Sequence, residues 1–291
     1  MTSVSRLTTV APFLFVFLWS TGFVGARYGL PHAGPLSFLL VRYALVVSLF
    51  LLLIWAMRAP WPSDRRAWAH IGVSGILIHG VYLGGVFSAI GAGLPAGIAA
   101  LIAGLQPILT AFGAAAWLGE RVVARQWLGL ALGLSGVVLV LVGKGLLDAQ
   151  APSAAMLVPI VLALLGITAG TLYQKRFCPH FDLRTGAVLQ FVPAAVVTFF
   201  CMLWVEDFRV DWTGDFVFAL LWLTLVLSIG AIALLNLLIR QGSAVNVSRL
   251  FFLTPPTTAL IAWAMFGESL PGLALAGMGI AVAGVYLSRP S

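Results

Sequence analysis

Ten stretches of apolar residues, separated by short polar segments, dominate the sequence. They cover residues 9–26, 36–57, 68–90, 94–118, 127–143, 154–173, 185–204, 216–239, 243–266 and 271–288. A helix needs about 20 mostly apolar residues to cross a bilayer, where every backbone polar group must bond within the chain. The alternation with a period of two residues that is typical of lipid-facing strands is absent. The pattern predicts an all-α integral membrane protein with ten transmembrane helices.

The composition agrees with a body in contact with lipid. Hydrophobic residues make up 61% of the chain and charged residues only 9%, whereas soluble domains carry about 25% charged residues. This excludes a water-soluble enzyme, and it excludes a disordered chain, which needs low hydrophobicity. The two cysteines, Cys178 and Cys201, have no metal-ligand spacing, and no dinucleotide-binding motif is present. We therefore expect no cofactor and no metal.

The basic residues predict how the chain is oriented in the membrane. If the N-terminus lies inside, 11 of the 16 basic residues fall in inside segments and 3 in outside segments. Those inside are Arg6, Arg58, Arg65, Arg66, Arg121, Arg125, Lys175, Arg176, Arg184, Arg240 and Arg289, and those outside are Arg27, Lys144 and Arg209. This bias predicts that both termini are cytoplasmic. The net charge of +7 is thus a topology signal and not a nucleic-acid patch. The expected partners are the lipid bilayer and a small-molecule substrate; the oligomeric state is left open, and a monomer is compatible with the sequence.

An internal repeat appears when the chain is aligned with itself at a shift of 148 residues. Its identities include Pro107/Pro255, Thr110/Thr258, Gly119/Gly267, Glu120/Glu268, Gly129/Gly277 and Gly136/Gly284. The repeats, residues 1–148 and 149–291, hold five predicted helices each, so the second must enter the membrane from the opposite side. Inverted repeats are common in secondary transporters, which bind substrate between the halves near the midplane. The alternative is an old duplication that is now only structural.

Several of these segments resemble a known family. The run Leu18-Trp19-Ser20-Thr21-Gly22-Phe23 and the pair Arg42-Tyr43 resemble the drug/metabolite transporter superfamily. The runs Gln106-Pro107-Ile108-Leu109-Thr110 and Leu118-Gly119-Glu120-Arg121 resemble its ten-helix EamA branch, and Phe266-Gly267-Glu268 repeats part of that signature. The resemblance covers nearly the whole chain. It implies a bacterial inner-membrane exporter of amino acids, aromatic ones among them, or of other metabolites, with a central cavity between the first, third, fourth, sixth, eighth and ninth helices.

Only two charged residues, Arg42 and Arg249, lie clearly inside the predicted spans. A charge at the bilayer centre costs about 3 kcal/mol on insertion scales. Each arginine either snorkels to the interface or faces the cavity and receives an anionic group such as a carboxylate. No Asp or Glu lies in any span, and Glu120 and Glu268 are expected only to close helix ends. A buried carboxylate relay is therefore disfavoured, which leaves facilitated diffusion, exchange, or coupling through His79.

Uncharged polar and aromatic residues complete the predicted substrate site. His79 is the only histidine well inside a span, and Tyr82 follows it at i+3 on the same helix face. Both can bind an amino or carboxyl group, although a histidine satisfied by neighbouring helices is an equal alternative. Trp19 offers a ring for stacking, and its assignment depends on the resemblance. The remaining candidates are Thr168, Thr171 and Asn236.

Prolines at equivalent positions of the two repeats are candidate gating elements. Pro107 and the pair Pro255-Pro256 fall in the middle of predicted helices, where each proline removes a backbone hydrogen bond. Such breaks are tolerated in a membrane where protein or cavity water satisfies the loose groups. The prolines therefore predict either kinked gating helices or static bends. Small-residue pairs such as Gly80/Gly84 and Gly129/Gly133 predict close helix packing.

An intramembrane enzyme and a passive channel are the alternatives to a transporter. The run Gly72-Val73-Ser74-Gly75 resembles that of intramembrane serine proteases, whose serine needs a histidine within hydrogen-bond reach. His79 is five residues on, roughly 140° around the helix, so it faces away from Ser74. Nothing resembles a selectivity filter. The sequence thus predicts a secondary transporter, not an enzyme, that exports or exchanges small metabolites by alternating access, with aromatic or other apolar amino acids favoured.

Overall fold

The structure, a computed structural model, describes residues 3–94, 99, 102–143, 153–178, 180–241, 244–266 and 269–288. That part of the chain is helical and holds no β-strand, so the all-α prediction is confirmed. The helices are α1 (Ser3–Gly29), α2 (Pro35–Met57), α3 (Arg65–Gly91), α4 (106–118), α5 (Ala124–Gly143), α6 (Ala154–Phe177), α7 (Leu183–Val205), α8 (Gly214–Gln241), α9 (244–266) and α10 (Gly272–Leu287). Lys144, Gly267, Glu268 and Arg289 lie outside the described residues.

Six of these helices are long and apolar enough to cross a membrane: α2, α3, α5, α6, α7 and α8. Two shorter apolar helical stretches, Val10–Gly22 in α1 and Gly272–Leu287, coincide with the first and last predicted spans. The fourth predicted span lies partly outside the described residues. The membrane-protein class agrees with these helices, and the number of ten spans stays a prediction.

Four helices contain stretches that depart from regular α-helix. The turns are π-helical at Ile76–Leu83 in α3, at Trp222–Ala231 in α8 and at Ala114–Leu118 at the end of α4. In α9, the stretch Arg249–Leu253 is a 3₁₀-helix. Such wider or tighter turns change the direction of side chains and leave some backbone carbonyls without their usual helical hydrogen bond. They are frequent at functional sites.

Pro107 lies at the beginning of a regular helical segment, which corrects its expected position in mid-helix, whereas Pro255 and Pro256 lie in the middle of α9, as expected. Pro107 is in the first turn of Gln106–Gly113, directly after a turn closed by a hydrogen bond from Leu105 N to Ile102 O (3.0 Å). Pro255 and Pro256 begin the segment Thr254–Phe266, which follows the 3₁₀ stretch of α9. Proline costs little at a first turn, because the missing N–H has no partner there in any case. Their gating role stays a prediction.

Helices α5 and α10 pack with their backbones in contact. A Cβ atom on Gly136 would lie 2.3 Å from Ala281 N, and one on Gly129 would lie 2.5 Å from Ser288 N. The residue order in these contacts is antiparallel. The small-residue prediction is confirmed for this pair of helices and wrong for Gly80 and Gly84, where the nearest atoms would lie 3.8 and 3.9 Å away.

The other helices pack in a fixed pattern around the core. α2 packs against α7, α3 packs against α6 and α7, and α1 packs against α8 and α9. α4 packs against α6 and against the first two segments of α9, Ala244–Ser248 and Arg249–Leu253. Large side chains that are fully buried, among them Phe15, Phe38 and Phe191, fill the space between them.

Two carboxylates accept hydrogen bonds from the first residues of helices that belong to the other half of the chain. Glu206 accepts hydrogen bonds from Ser37 N (2.6 Å), Ser37 Oγ (2.8 Å) and Leu36 N (3.3 Å) at the start of α2. Glu120 accepts one from Ala244 N (2.9 Å) at the start of α9. Anionic groups are favourable at helix N-termini. Gly119 has the predicted turn conformation, with φ 69°, but the expectation that Glu120 only closes its own helix is wrong.

Candidate functional site

A narrow cavity lies between α1, α2, α3 and α8, and three predicted site residues line it: Trp19, Arg42 and Tyr82. Its volume is about 40 Å³. A water molecule needs roughly 10–15 Å³ of such space, so the cavity has room for a few waters in this conformation. The rest of the wall is apolar and includes Ala26, Val86, Phe87, Leu223, Leu227 and Ile232. An apolar pocket with few convergent polar groups is typical of small-molecule sites.

Arg42 is the charged group of this cavity, and it is buried. Its side chain is 1% exposed, so the guanidinium does not reach the interface. Nε donates a hydrogen bond to Ser228 Oγ (3.1 Å), whereas Nη1 has no hydrogen-bond partner in the described part of the chain. Among the described residues no carboxylate forms an ion pair with it. A buried cation without a counter-ion is costly, so the arrangement favours an anionic ligand at Nη1.

Two residues of helix α2 connect this site by hydrogen bonds to both π-helical stretches. Arg42 contacts Ser228 in the stretch Trp222–Ala231, and the Tyr43 hydroxyl donates to the backbone carbonyl of His79 (2.7 Å) in the stretch Ile76–Leu83. The irregular turns explain these contacts, since they free or expose groups that a regular helix would satisfy internally. Ser228 carried no signal in the sequence, whereas Tyr43 was present in the pair Arg42-Tyr43 but had no predicted role.

His79 lies beside the cavity and does not line it. The ring is fully buried and stacks on Phe191, with centroids 4.1 Å apart and planes 13° apart. Neither ring nitrogen makes a hydrogen bond with the described residues. Packing against α7 holds the ring in place, and its predicted role at the substrate site stays a prediction.

Aromatic rings form one wall next to Arg42. Trp19 stacks on Tyr82 (centroids 6.1 Å, planes 13° apart) and meets Phe251 edge-on (5.3 Å, 82°). Phe15 contacts both Trp19 (5.2 Å) and Phe251 (5.5 Å). Such pairs hold rings in defined orientations. The wall joins α1, α3 and α9. In the sequence, Phe15 and Phe251 do not differ from other apolar residues.

Asn236 belongs to a separate buried cluster of carboxamides. Gln174 Nε2 donates to Asn236 Oδ1 (2.9 Å), Asn236 Nδ2 to Gln190 Oε1 (3.4 Å), and Gln190 Nε2 to Gln174 Oε1 (3.0 Å), so the three amides close a ring. Gln190 Nε2 also donates to Ser74 Oγ (3.1 Å) on α3. Gln190 was missed, although a lone amide in an apolar span is itself a signal.

The remaining predicted site residues are not brought to the cavity. Thr168 and Thr171 donate to backbone carbonyls of their own helix, those of Leu164 and Ile167, at 2.7 Å each. Arg249 is half-buried in the 3₁₀ stretch of α9 and is not part of the cavity lining.

The geometry expected of the protease-like alternative is absent from the described residues. Ser74 donates to the Ile71 carbonyl (2.7 Å) and accepts from Gln190, and no hydrogen bond joins it to His79. A serine without a base within reach is a weak nucleophile.

Comparison with known proteins places these features in a family. Residues 8–142 and again residues 154–289 match the EamA-like transporter family. The crystal structure of another protein has the same fold. Its TM-score to this chain is 0.79, the match covers 96% of both chains, and the sequence identity is 18%.

Similar curated proteins are described as transporters. The uncharacterized transporter YvbV of Bacillus subtilis is 27% identical, over 97% of this chain and 91% of its own. The probable amino-acid metabolite efflux pump of Escherichia coli K12 is 24% identical, over 98% and 95%. The uncharacterized inner membrane transporter YedA of the same strain is 24% identical, over 95% and 89%.

Proposed function

Because the chain belongs to the EamA-like transporter family, we propose that it is an inner-membrane secondary transporter that exports or exchanges amino acids, with aromatic or apolar side chains favoured. The observation that carries the substrate class is Arg42, which lines the cavity beside the Trp19–Tyr82 stack and whose Nη1 has no hydrogen-bond partner among the described residues. A guanidinium binds a carboxylate well, and an aromatic wall suits an apolar side chain. The name of the Escherichia coli efflux pump agrees with this class.

Two inverted five-helix repeats, residues 1–148 and 149–291, are the proposed architecture, with ten spans. If the two repeats are equivalent, α1 corresponds to α6, α3 to α8 and α4 to α9. The packing follows this correspondence: α1 packs against α8 as α6 packs against α3, and α1 packs against α9 as α6 packs against α4. The equivalent helices α5 and α10 run antiparallel. The π-helical stretches of α3 and α8 are likewise equivalent, because a shift of 148 residues moves 76–83 onto 224–231.

Cytoplasmic N- and C-termini are the proposed orientation, supported by the placement of basic residues. The name of the relative YedA supports the inner membrane. A single chain contains the cavity, so a monomer is sufficient for the proposed activity.

Alternating access is the proposed mechanism, since the cavity of about 40 Å³ is too small for an amino acid unless helices separate. The two carboxylate contacts, Glu206 at α2 and Glu120 at Ala244, tie the halves together at opposite ends of the bundle. Pro107 and the pair Pro255-Pro256 lie where α4 and α9 change geometry, and there we place the bending.

Counterflow in proteoliposomes tests the proposed function. We expect labelled phenylalanine to exchange with unlabelled aromatic or apolar amino acids and not with lysine or glutamate. No carboxylate lies in the predicted spans, so we expect exchange to continue without a pH gradient. If no amino acid moves, the proposed substrate class is wrong. If transport needs a pH gradient, the expectation of uncoupled exchange is wrong, and if it then survives His79→Ala, coupling through His79 is also wrong.

A further inference from the structure

A second group of buried polar atoms without partners lies on α4 and α9, outside the cavity of Arg42. Gln106 and Thr110 are fully buried and Thr254 is 4% exposed. Among the described residues, neither Gln106 Oε1 nor Gln106 Nε2 has a hydrogen-bond partner, and Thr110 Oγ1 and Thr254 Oγ1 have none either. Leaving such groups buried and unpaired is unfavourable, and ordinary helix packing does not require it.

The register of the two helices brings these residues to one depth. Glu120 at the end of α4 binds Ala244 N at the start of α9. Thr110 and Thr254 are each ten residues from this contact, about 15 Å along their helices at 1.5 Å per residue. Gln106 is one turn from Thr110 on the same helix face. Thr254 also follows directly after the part of α9 that packs closely against α4.

The aromatic wall borders this group at Thr254. The hydroxyl of Ser20, the neighbour of Trp19, lies 2.7 Å from the Val16 carbonyl of its own helix and 3.3 Å from the backbone carbonyl of Thr254. Phe251, which contacts Trp19 edge-on, is three residues before Thr254 on α9. The wall thus links the cavity of Arg42, through Trp19, to Thr254.

We propose that Gln106, Thr110 and Thr254 form a second station on the transport path, which binds a primary ammonium group. This inference rests on the proposed function and deepens it. The station offers three acceptor oxygens, Oε1 and two Oγ1, to the three N–H donors of an ammonium. The predicted spans hold no carboxylate that would serve this purpose. Arg42 binds the carboxylate of the amino acid, and the second station binds its amino group after the first contact is released.

Binding measured on the purified protein in detergent, without transport, tests this station. The probes are phenethylamine, which has an ammonium and no carboxylate, and 3-phenylpropionate, which has the reverse. A ligand that binds only the folded state raises the unfolding midpoint, and the rise grows with the logarithm of the ligand concentration divided by Kd. We expect Gln106→Leu to weaken phenethylamine binding at least tenfold and to leave 3-phenylpropionate binding unchanged. Gln106→Glu should retain or strengthen the binding of the amine.

Thr198→Val is the matched control, because Thr198 is an equally buried threonine on α7; it should leave both affinities unchanged. If Gln106→Leu does not fold, the two affinities are compared between the wild type and Thr110→Val instead. The station would be overturned if the wild type, Gln106→Leu and Thr110→Val bound phenethylamine with equal affinity. It would also be overturned if Na⁺ alone stabilised the protein and phenethylamine gave no further stabilisation. Amine binding that depends on Gln106, in a protein that moves no amino acid, would support the station and contradict the proposed function. Amino-acid transport by a protein whose amine binding does not change on Gln106→Leu would support the proposed function and contradict the station.

Discussion

At the scale of single residues, a buried arginine beside two stacked aromatic rings defines the proposed site. Arg42 stood out because charge is rare inside a span, and Trp19 because of the family resemblance. Their meeting in one cavity with Tyr82 agrees with the proposed site. Arg249 had the same signal, yet it lies on α9 outside that cavity. Residue type alone does not tell which face of a helix looks inward.

The residues that were missed lack any such signal. Ser228 holds the guanidinium of Arg42, but a serine in an apolar helix more often bonds to its own backbone. Phe251 looks like any other apolar residue until the turn of α9 brings it to Trp19. Their roles depend on contacts between segments far apart in the chain, which local sequence does not encode.

At the scale of helices, the positions of the apolar stretches were predictable and their internal geometry was not. The predicted span 36–57 matches α2, Pro35–Met57, because length and hydropathy determine it. The π-helical stretches of α3 and α8 contain only apolar and small residues besides His79, Tyr82, Thr224 and Ser228. Such turns depend on packing and on partners such as Tyr43, so tertiary structure determines them.

The start of α2 gives a prediction at this scale. Glu206→Ala removes the acceptor of three hydrogen bonds at Leu36 and Ser37. We expect a loss of about 1 kcal/mol, comparable to that of a helix cap, and an unfolding midpoint lowered by about 2–4 °C. Thermal unfolding in detergent measures it. Asp207→Ala removes the exposed neighbouring carboxylate and should change little; an equal effect of the two substitutions would show that the contact with α2 contributes no stability.

At the scale of the whole molecule, the 148-residue repeat predicted an arrangement of helices that local patterns do not contain. Identities at fixed spacing, such as Gly136/Gly284, were enough to propose two halves. They did not predict that Glu120 would fasten the start of α9, or that Pro107 would begin a helical segment. Those features depend on how the halves dock, and this information is spread over many weak contacts.

The packing of α5 against α10 tests the proposed relation of the halves. A methyl group on Gly136 would lie 2.3 Å from the backbone of Ala281, whereas one on Gly279 would meet nothing within 4 Å. We therefore expect Gly136→Ala to lower the unfolding midpoint or abolish the folded protein. Gly279→Ala should be neutral or slightly stabilising, since alanine favours a helix over glycine by about 1 kcal/mol. Equal stability of the two variants, measured by size-exclusion chromatography and thermal unfolding, would contradict the backbone contact.

The central claim is that the buried guanidinium of Arg42 binds the carboxylate of the transported amino acid. Competition with labelled phenylalanine in proteoliposomes tests it most directly, with phenylalanine and phenylalaninamide, which has no carboxylate, as competitors. We expect the wild type to prefer phenylalanine at least tenfold, because a charge-assisted bond to carboxylate contributes about 1.5–3 kcal/mol. We also expect Arg42→Gln to remove this preference and Arg42→Lys to keep part of it. If Arg42→Gln retained the full preference, Arg42 would not be the carboxylate site.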